Sequence, residues 1–394
     1  MKFGILKEIK NGEFRVTATP AEVSVLVGDG HQVYVTHNAG YAAGFDDAEY
    51  EAAGATIKPD NKDLWEICDF VAKVKEIEPA EYEYLRENQL IYCCVHPAGH
   101  PEEVDKLLEK KVIAITAEDS HRFGSPNCEA AGKAGAFMGL WSMFSFNGGS
   151  GKFASGLAGA PGVNALVCGC GTVGRAAVEV LTALGCSVTV SDISIGLLRD
   201  IQQKYNGKIN TIMSNRANLA AILPSTDLVI NSVRWPKNAK DFMIDRAMVR
   251  SMRRGSVIVD ISNDYGCIET FHETTHDNPT YIEEGVVHYC VANIPGAIAG
   301  STSKSLAAGV LQHFRNVMNL GLEEACVRDG YLRRSLTCYK GWLTHQETSA
   351  IQGRPWVKPE VILGIQDRKL DFAPQATVSV SDNYYPEFAE QCKA

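Results

Sequence analysis

The sequence predicts an α/β protein made of two doubly wound domains, with the second domain inserted into the first. Short apolar runs rich in β-branched residues alternate with amphipathic stretches in the first part of the chain, and the alternation begins again in the middle part. This alternation is typical of parallel sheets that are covered by helices on both faces. The length of 394 residues also favours two domains over one.

The first series alternates predicted strands with helical stretches. The strand-like runs are KFGIL, QVYVT, FVAKVK, LIYCCVH and VIAITA, and the helical stretches are TPAEVSVLVGDG, DDAEYEAAGA and PEEVDKLLEKK. Residues 126–147 then predict one long helix rich in Ala and Gly, and the flexible loop NGGSG follows it.

The second series has the same character, and helical sequence follows it. Its predicted strands are NALVCG, SVTVSD, KINTIMS, DLVINSV, SVIVDIS and GVVHYCVAN, and the helical stretch is SLAAGVLQHFRNVMNLGLEEAC. The simplest arrangement is a discontinuous domain of residues 1–126 and 300–394 and an inserted domain of residues 127–299.

Composition and charge exclude several classes of protein. The net charge is −9 without a basic stripe, so we expect no nucleic-acid partner. No apolar run approaches the ~18 residues of a membrane span, so we expect no membrane partner. The N-terminus carries charges where a signal peptide needs an apolar stretch, and the 12 cysteines form no CxxC pair. We therefore expect a cytoplasmic protein with reduced thiols.

A glycine motif opens the second series. Gly169, Gly171 and Gly174 form GxGxxG directly after a predicted strand and at the start of a predicted helix. The first glycine permits a tight turn, the second lets the backbone approach a pyrophosphate, and the third lets helix and strand pack closely. The helix N-terminus adds N–H donors and a positive dipole. The alternative is a glycine-rich turn that binds nothing.

Asp192 gives this Rossmann-like motif its cofactor preference. It ends the next predicted strand, where a carboxylate hydrogen-bonds the ribose of an adenosine and repels a 2′-phosphate. No arginine follows in ISIGLL, so the sequence favours NAD over NADP. We expect the cofactor site to contain Gly169, Gly171, Thr172, Val173, Gly174, Asp192, Cys128 and Val233.

Charged residues follow three predicted strands of the first domain. Lys75 ends one strand, His96 ends the next, and Arg15 follows the first. Because the carboxyl ends of parallel strands converge on one crevice, these side chains should meet there. Each residue taken singly also has an explanation that involves no ligand. Arg15 could be a solvated loop residue, Lys75 a surface cap and His96 a hydrogen-bonded histidine of the core. We expect Lys73 to be a solvated neighbour.

These residues lie in stretches that resemble the alanine dehydrogenase family. The matching stretches are KEIKNGEFRVTATPAEV, GFDDAEYEAAGA, VAKVKE, CEAAGKAG, GTVGRAA, SVIVDIS, ETFHETTHDNPTY and GVVHYCVANIPGA. They recur in order and cover most of the chain up to about residue 300. The family shares its fold with the nucleotide-binding part of nicotinamide transhydrogenases and with saccharopine-type dehydrogenases.

The resemblance implies a role for each matching residue. Arg15 would grip the substrate carboxylate, and Lys75 would polarise the substrate carbonyl. His96 would move protons as carbinolamine and imine form. Asp264 would be a second catalytic acid or base, and Asn293 would line the pocket beside the cofactor. Transhydrogenase subunits lack the equivalent histidine, so His96 favours an enzyme that reduces a substrate.

The sequence departs from the family at the start of the helix between the domains. The family has Pro-Met-Ser-Glu there, whereas this chain has Pro126, Asn127, Cys128 and Glu129. Gly124 replaces the leucine that precedes this motif. In the family the leucine and methionine crowd the methyl group of pyruvate, so Gly124 and Asn127 predict a larger, more polar substrate pocket.

A second departure follows the fourth strand of the cofactor domain. NSVRWPKNAK places Arg234 and Trp235 where the family has aliphatic residues. Arg234 would pair with an additional carboxylate on a larger substrate. The alternatives are that it points into solvent or holds a cofactor phosphate.

Three functions remain open at this point. The first is reversible oxidative deamination of L-alanine or a larger L-amino acid to the 2-oxo acid and ammonia. The second is an opine- or saccharopine-type reaction that reduces the imine of a 2-oxo acid and an amino acid's amine. The third is a non-catalytic NAD-binding regulatory protein. The resemblance also implies a homo-oligomer, either a dimer or a hexamer.

We expect no metal. His272 and His276 are four residues apart, but they fall in the loop FHETTHDNP, which has no helical signature. Zinc usually requires a third or fourth ligand nearby. Hydrogen bonding within the loop is the favoured interpretation of this pair.

Overall fold

A computed structural model describes residues 1–236 and 239–393. Of Asp264 it describes the backbone and not the side chain. The chain divides into two compact units. The outer unit comprises Met1–Ser125 and the segment from Ala299 to the end of the described chain, and the inserted unit is Pro126–Ile298. The assignment of substrate binding to one unit and NAD binding to the other stays a prediction.

The described residues of the outer unit form an eight-stranded sheet of order β15-β14-β6-β5-β4-β1-β2-β3. The pairs from β6 to β3 are parallel, whereas β14 runs antiparallel to β6 and to β15. The strands are β1 Lys2–Ile5, β2 Gln32–Thr36, β3 Thr56–Lys58, β4 Phe70–Ala72, β5 Leu90–Cys93, β6 Ile113–Thr116, β14 Leu336–Tyr339 and β15 Trp342–Leu343.

Helices cover the sheet of the outer unit, and strand order reverses between β1 and β4. This reversal is the topological switch point, where doubly wound sheets bind ligands. The helices are α1 Pro20–Gly28, α2 Asp47–Ala52, α3 Asn61–Ile67, α4 Pro101–Glu109, α10 Ala299–Leu320, α11 Leu322–Arg328, α12 Gly330–Arg334, α13 Gln346–Gln352, α14 Pro359–Ile362 and α15 Ala389–Lys393.

The core of the outer unit contains an aromatic cluster. Phe314 of α10 lies with its ring centroid 5.0 Å from Phe3, 5.5 Å from Phe70 and 5.0 Å from Tyr92. All four side chains are buried. Residues from the first, fourth and fifth strands therefore pack against a helix that follows the inserted unit in the chain.

The described residues of the inserted unit form a seven-stranded sheet of order β12-β13-β11-β10-β7-β8-β9. All pairs are parallel except β12 with β13. The elements are α5 Pro126–Ser142, β7 Asn164–Cys168, α6 Thr172–Ala183, β8 Ser187–Asp192, α7 Ile195–Lys204, β9 Asn210–Met213, α8 Arg216–Ile222, β10 Leu228–Asn231, α9 Arg246–Ser251, β11 Val257–Asp260, β12 Thr280–Glu283 and β13 Val286–Tyr289.

The predicted fold class of two doubly wound α/β sheets is confirmed, with differences in individual elements. The sequence analysis did not predict β3, β12, β14 or β15. The strands β3 and β12 are largely solvent-accessible at sheet edges, so they have no continuous apolar run.

The two long predicted helices also end earlier in the chain than expected. The first ends at Ser142 rather than near residue 147. The second is divided at Gly321, whose φ of 83° ends α10 before α11 begins. Among the residues that the structure describes, no helix is both long and apolar enough to cross a membrane.

Candidate active site

Arg15 lies in the loop after β1 and is buried against an acidic partner. Its Nε donates to Glu13 Oε1 at 2.7 Å, and its Nη2 is also paired with Glu13 Oε2. Burial opposes the charge, but Glu13 outweighs burial and raises the pKa of Arg15 above its ordinary value. The prediction of a solvated loop residue is therefore wrong, because one edge of the guanidinium is already held by Glu13 inside the unit.

Lys75 lies in the loop after β4, three residues beyond the strand end. The side chain is 13% exposed, and its Nζ is 3.5 Å from Glu76 Oε2. Burial opposes the ammonium charge, yet Glu76 prevails and raises the pKa of Lys75. Lys75 therefore stays a cation at neutral pH, at the switch point between β1 and β4.

Lys73 is not the solvated neighbour that we expected. It is 1% exposed, its Nζ hydrogen-bonds Glu81, and Glu8 Oε2 lies 3.8 Å away. The two carboxylates outweigh burial and raise the pKa of Lys73. A buried ammonium requires paired anions, so Lys73 links Glu8 and Glu81 in the interior of the unit and stabilises the loop after β4.

His96 follows β5 and has an unusual backbone conformation. The strand ends at Cys93, so the imidazole extends from the loop rather than from the strand end itself. Its φ is 46°, in the left-handed region that non-glycine residues rarely adopt. The His96 Nδ1 is 3.4 Å from Glu118 Oε1, which also accepts a hydrogen bond from the His96 backbone N at 2.7 Å.

Glu118 is a site residue that the sequence analysis missed. It lies in a short 3-10 turn after β6, the neighbour of β5. Burial raises its pKa to about 7, and Asp119 adds to the effect. The strand-end rule that selected Lys75 and His96 would have found Glu118 had it been applied to the next strand.

The structure brings Arg15, Lys75 and His96 together around Cys94. The Cys94 Sγ lies within 4.8 Å of a His96 ring nitrogen and of a Glu118 carboxylate oxygen. Lys75 and Arg15 are near enough to Cys94 to interact with it electrostatically. A guanidinium, an ammonium and an imidazole therefore share the carboxyl edge of the sheet at its switch point.

The glycine loop of the inserted unit has the geometry that the motif predicts. Gly169 has a φ of 92°, and a Cβ there would lie 2.8 Å from Ser232 Oγ. A Cβ on Gly174 would overlap the backbone oxygen of Gly169. A Cβ on Gly171 would meet no heavy atom within 4 Å among the described residues. Gly171 caps α6, which begins with Thr172 and Val173, so open space lies at the helix N-terminus.

Asp192 ends β8 as predicted and contacts the glycine loop. Its Oδ2 accepts a hydrogen bond from Cys170 N at 2.7 Å, and its Oδ1 accepts one from Ser194 N at 2.7 Å. The carboxylate is thus held beside the open N-terminus of α6. The glycine loop and Asp192 fit the pyrophosphate and adenosine of NAD. The loop leaves open space where the phosphates of a dinucleotide bind, and the Asp192 carboxylate lies where the ribose binds in such folds.

Four more of the predicted site residues lie at the start of α5 and in the loop after β10. Asn127 and Cys128 are half-buried in the first turn of α5. Val233 follows β10, and its N donates to Asn231 Oδ1 at 3.2 Å. The side chain of Arg234 is exposed, its Nε donates to Tyr265 OH at 3.1 Å, and its guanidinium lies 5.7 Å from that ring centroid.

Asn293 and Asp264 lie beyond two other strands of this sheet. Asn293 is buried after β13, and its backbone oxygen is 2.9 Å from His276 Nε2. Asp264 lies in a 3-10 turn after β11, and its side chain is outside the described residues. The ring of His272 stacks on Tyr281 at 3.4 Å. His272 and His276 therefore have different partners, Tyr281 and Asn293, and both partners lie outside the loop FHETTHDNP.

Gly124 has a backbone reason for its identity. Its φ is 95°, a conformation that glycine adopts without strain and a leucine would not. The local turn therefore gives a second explanation for a glycine at this position, besides the enlarged pocket that the sequence predicts.

Comparisons with known proteins agree over both units. The family model described as "Alanine dehydrogenase/PNT, N-terminal domain" matches residues 4–125, and "Alanine dehydrogenase/PNT, C-terminal domain" matches residues 136–346. An alanine dehydrogenase of Staphylococcus haemolyticus is 36% identical over 91% of this chain and 98% of its own length. Alanine dehydrogenase 2 of Staphylococcus aureus is 37% identical over 88% of this chain and 95% of its own.

Solved structures give the same result. An L-alanine dehydrogenase superposes with a TM-score of 0.83 at 33% identity, covering 90% of this chain and 99% of that one. A transhydrogenase from Sinorhizobium meliloti superposes with a TM-score of 0.69 at 22% identity over 88% of this chain and 99% of that one. The second likeness supports the fold alone.

Proposed function

The chain belongs to the alanine dehydrogenase/PNT family, and from this premise we propose that it catalyses reversible oxidative deamination of L-alanine or a larger L-amino acid to the 2-oxo acid and ammonia. The protein is an NAD-dependent amino-acid dehydrogenase, an oxidoreductase that acts on CH–NH2 donors. The observation that carries the specific proposal is the cluster of Arg15, Lys75 and His96 around Cys94.

Bound NAD would supply the hydride acceptor for the amino-acid Cα, and the side chains of the protein orient and polarise the substrate. Arg15 pairs with the substrate carboxylate, for which the planar fork of its guanidinium is suited. Lys75, a cation at neutral pH, donates to the carbonyl oxygen of the 2-oxo acid. Polarisation of this carbonyl favours attack by ammonia in the reductive direction.

His96 moves protons between the reacting nitrogen and oxygen atoms and its surroundings. Its Nδ1 faces the Glu118 carboxylate, which fixes the ring and stabilises the imidazolium. Nε2 is then the atom that gives a proton to the leaving water or takes one from the carbinolamine. Glu118 is a positioning residue in this scheme, because it acts through His96.

The cofactor is held by the inserted unit in this proposal. Gly171, Thr172 and Val173 present the N-terminus of α6 to the pyrophosphate, and Asp192 hydrogen-bonds the adenosine ribose. The remaining predicted positions, assigned by resemblance to the family, are Cys128, Val233, Asp264 and Asn293.

An opine-type reaction is a second candidate, favoured by one observation. Arg234 is exposed in the loop after β10, the strand at the switch point of the inserted unit's sheet. An opine substrate has two carboxylates, and Arg234 would bind the second one. Asn127 at the start of α5 would make the pocket more polar for such a substrate.

The decisive experiment measures NADH oxidation by the purified protein with a panel of 2-oxo acids. Each acid is supplied with ammonium and, separately, with lysine, ornithine or another amino acid as the amine. We expect turnover of pyruvate or a larger 2-oxo acid with ammonium, at a rate that no amino acid improves. Turnover that requires an amino acid as amine donor would replace the proposal with the opine reaction.

Arg234→Ala separates the two candidates further. It should leave turnover with ammonium unchanged if deamination is the reaction, but raise KM for the amino-acid partner if an opine forms. NADH binding by the same variant, measured by fluorescence, is the control for an intact cofactor site.

We also propose that the enzyme is a cytoplasmic homo-oligomer, either a dimer or a hexamer. The cysteines of the described chain are free thiols, which fits a reducing compartment. Size-exclusion chromatography with light scattering measures the assembly, and a monomeric mass would contradict the proposal.

A further inference from the structure

Three potential metal ligands converge beside the β5 and β6 strand ends. Cys94 offers Sγ, His96 offers a ring nitrogen, and Glu118 offers a carboxylate oxygen, and these atoms lie within 4.8 Å of one another. Cys94 is buried, whereas His96 and Glu118 are partly accessible to solvent. A cation can therefore reach the cluster from solvent through His96 and Glu118, while the Cys94 sulfur is shielded from water.

The chemistry of the three ligands favours a particular class of cation. A thiolate, an imidazole and a carboxylate together suit Zn²⁺ and similar borderline-soft divalent ions, and Mg²⁺ or Ca²⁺ would avoid the sulfur. Zinc bonds of about 2.0–2.3 Å place tetrahedral ligand atoms roughly 3.3–3.7 Å apart. The His96 Nδ1 to Glu118 Oε1 distance of 3.4 Å already has this value. A side-chain adjustment of about 1 Å would bring the sulfur to the same separation.

The surrounding structure holds these ligands in place. The left-handed φ of 46° at His96 turns the ring toward Glu118, and Glu118 Oε1 accepts the His96 backbone N–H. Cys94 N donates to Val74 O at 3.0 Å, which ties the thiol-bearing residue to the neighbouring strand segment. Glu118 Oε2 is buried and has no hydrogen-bond partner among the residues that the structure describes. A cation bound through Oε1 would compensate the negative charge of this carboxylate.

We propose that Cys94, His96 and Glu118 form an inhibitory binding site for Zn²⁺ or a similar thiophilic divalent cation, with water as the fourth ligand. The inhibitory part rests on the proposed function, because a His96 nitrogen bound to metal no longer positions the ring for proton transfer. Binding replaces the Cys94 S–H bond with an S–metal bond and releases that proton to solvent, with no change in oxidation state.

This site departs from our expectation of no metal. The expectation considered His272 and His276, which are close in sequence. The ligands here come from the loop after one strand and the turn after the next, so only the pairing of β5 with β6 brings them together. Cys94 lies in the apolar run LIYCCVH, where a cysteine predicts a small apolar side chain rather than a ligand.

The test titrates the chelator-treated full-length protein with Co²⁺, which replaces Zn²⁺ and reports its ligands by absorption. We expect one equivalent to bind with a thiolate-to-cobalt charge-transfer band. Cys94→Ser should lose this band, and Cys186→Ser, which alters a half-buried thiol of the inserted unit, should keep it. Circular dichroism checks that both variants are folded. Binding without the band, or an unchanged band in Cys94→Ser, would overturn the site.

Glu118→Gln provides a second variant in case Cys94→Ser does not fold. It should keep the charge-transfer band but weaken Co²⁺ binding by at least about tenfold, because the loss of a direct carboxylate ligand should cost no less than the loss of a group that only supports a ligand. Unchanged affinity in this variant would remove Glu118 from the site.

The inhibitory role is tested by Zn²⁺ titration of NADH oxidation. We expect inhibition of wild type and of Cys186→Ser at the metal concentration that displaces Co²⁺, and a shift of at least about tenfold in Cys94→Ser. Inhibition that is equal in Cys94→Ser would overturn the inhibitory role. If the substrate panel shows no dehydrogenase turnover, the cobalt band still decides whether the metal site exists, so the two proposals fail separately.

Discussion

Two lysines follow the same strand and have different surroundings. Lys73 is buried with Glu8 and Glu81, whereas Lys75 remains partly accessible beside Glu76. Glu8 also accepts the backbone N–H groups of Val74 and Lys75, so it holds the segment that connects the two lysines. At the scale of single residues, Lys73 supports the loop and Lys75 is available to a ligand.

Lys75→Ala should lower kcat/KM for the 2-oxo acid by about 10²–10³, because the variant lacks the cation that stabilises negative charge on the carbonyl oxygen. NADH oxidation in the presence of ammonium measures the effect. Lys110→Ala, which removes a lysine at the C-terminal end of α4, is the matched control and should retain activity. A loss smaller than about tenfold in Lys75→Ala would contradict the assigned role.

Lys73→Met should destabilise the protein by about 3–5 kcal/mol, because it leaves Glu8 and Glu81 buried without their cation. Urea denaturation followed by far-ultraviolet circular dichroism measures the change. Lys62→Met removes an exposed lysine that lies 4.0 Å from Glu66, and it should change stability by less than about 0.5 kcal/mol. Equal changes in the free energy of unfolding for the two variants would mean that the buried ion pairs of Lys73 contribute no more to stability than the exposed pair of Lys62.

At the scale of elements, the turn between β7 and α6 combines two different requirements for glycine. Gly174 is needed by the protein itself, because a Cβ at this position would overlap the Gly169 backbone oxygen. Gly171 faces open space and has an ordinary φ of −76°, so the described chain itself does not require Gly171 to lack a side chain.

Gly171→Ala should therefore fold normally and weaken NADH binding by about tenfold or more, since a methyl group would occupy the space of the pyrophosphate. Gly174→Ala should instead lower stability as well as binding. Gly196→Ala is the control, because a Cβ there would have only Ser194 Oγ nearby, at 3.7 Å. Fluorescence titration with NADH and thermal unfolding distinguish the three; normal NADH affinity in Gly171→Ala would contradict pyrophosphate binding at this turn.

The helix α4 contains a buried carboxyl group, that of Glu103, whose contribution to the stability of the fold depends on pH. Burial raises the pKa of Glu103 to about 7, although His100 and the backbone N–H of Ile77 oppose the effect. A carboxyl whose pKa is raised in the folded state stabilises folding at low pH, and this contribution is lost as pH rises through about 7.

Glu103→Gln should consequently gain stability relative to wild type between pH 4.5 and pH 8, by up to about 3 kcal/mol. Denaturation curves at several pH values measure the trend. Glu102→Gln, at the exposed neighbouring position, should show no such trend. A stability difference for Glu103→Gln that does not change with pH would show that Glu103 does not titrate in this range.

At the scale of the whole molecule, the outer unit depends on two segments that are far apart in sequence. The strand β14 extends its sheet beyond β6, and α10 supplies Phe314 to the aromatic cluster with Phe3 and Phe70. The inserted unit has a continuous chain and its own hydrophobic core.

We expect a fragment of residues 126–298 to fold cooperatively and to retain measurable NADH binding. A fragment of residues 1–125 should not fold cooperatively, because it lacks α10 and β14. Thermal unfolding of each fragment, with NADH fluorescence for the first, tests this difference. Cooperative unfolding of residues 1–125 would show that α10 is dispensable for the core.

Local sequence patterns were sufficient for most strands, for the GxGxxG turn and for the family. These features depend on neighbouring residues, since an apolar run, a glycine spacing and an acid at a strand end can be recognised without the rest of the chain. Arg15, Lys75 and His96 were found in the same way, by combining strand ends with the rule that parallel strands converge. Their catalytic roles stay predictions.

The sequence by itself determined the α/β class, the glycine turn at the start of α6 and the identity of the charged residues that follow the strands. Only the tertiary structure decided that Lys73 is buried, that Glu13 holds Arg15, and that Glu118 and Cys94 lie beside His96. The physical reason is that charge pairing and burial depend on contacts between segments distant in sequence, which strand pairing and packing bring together.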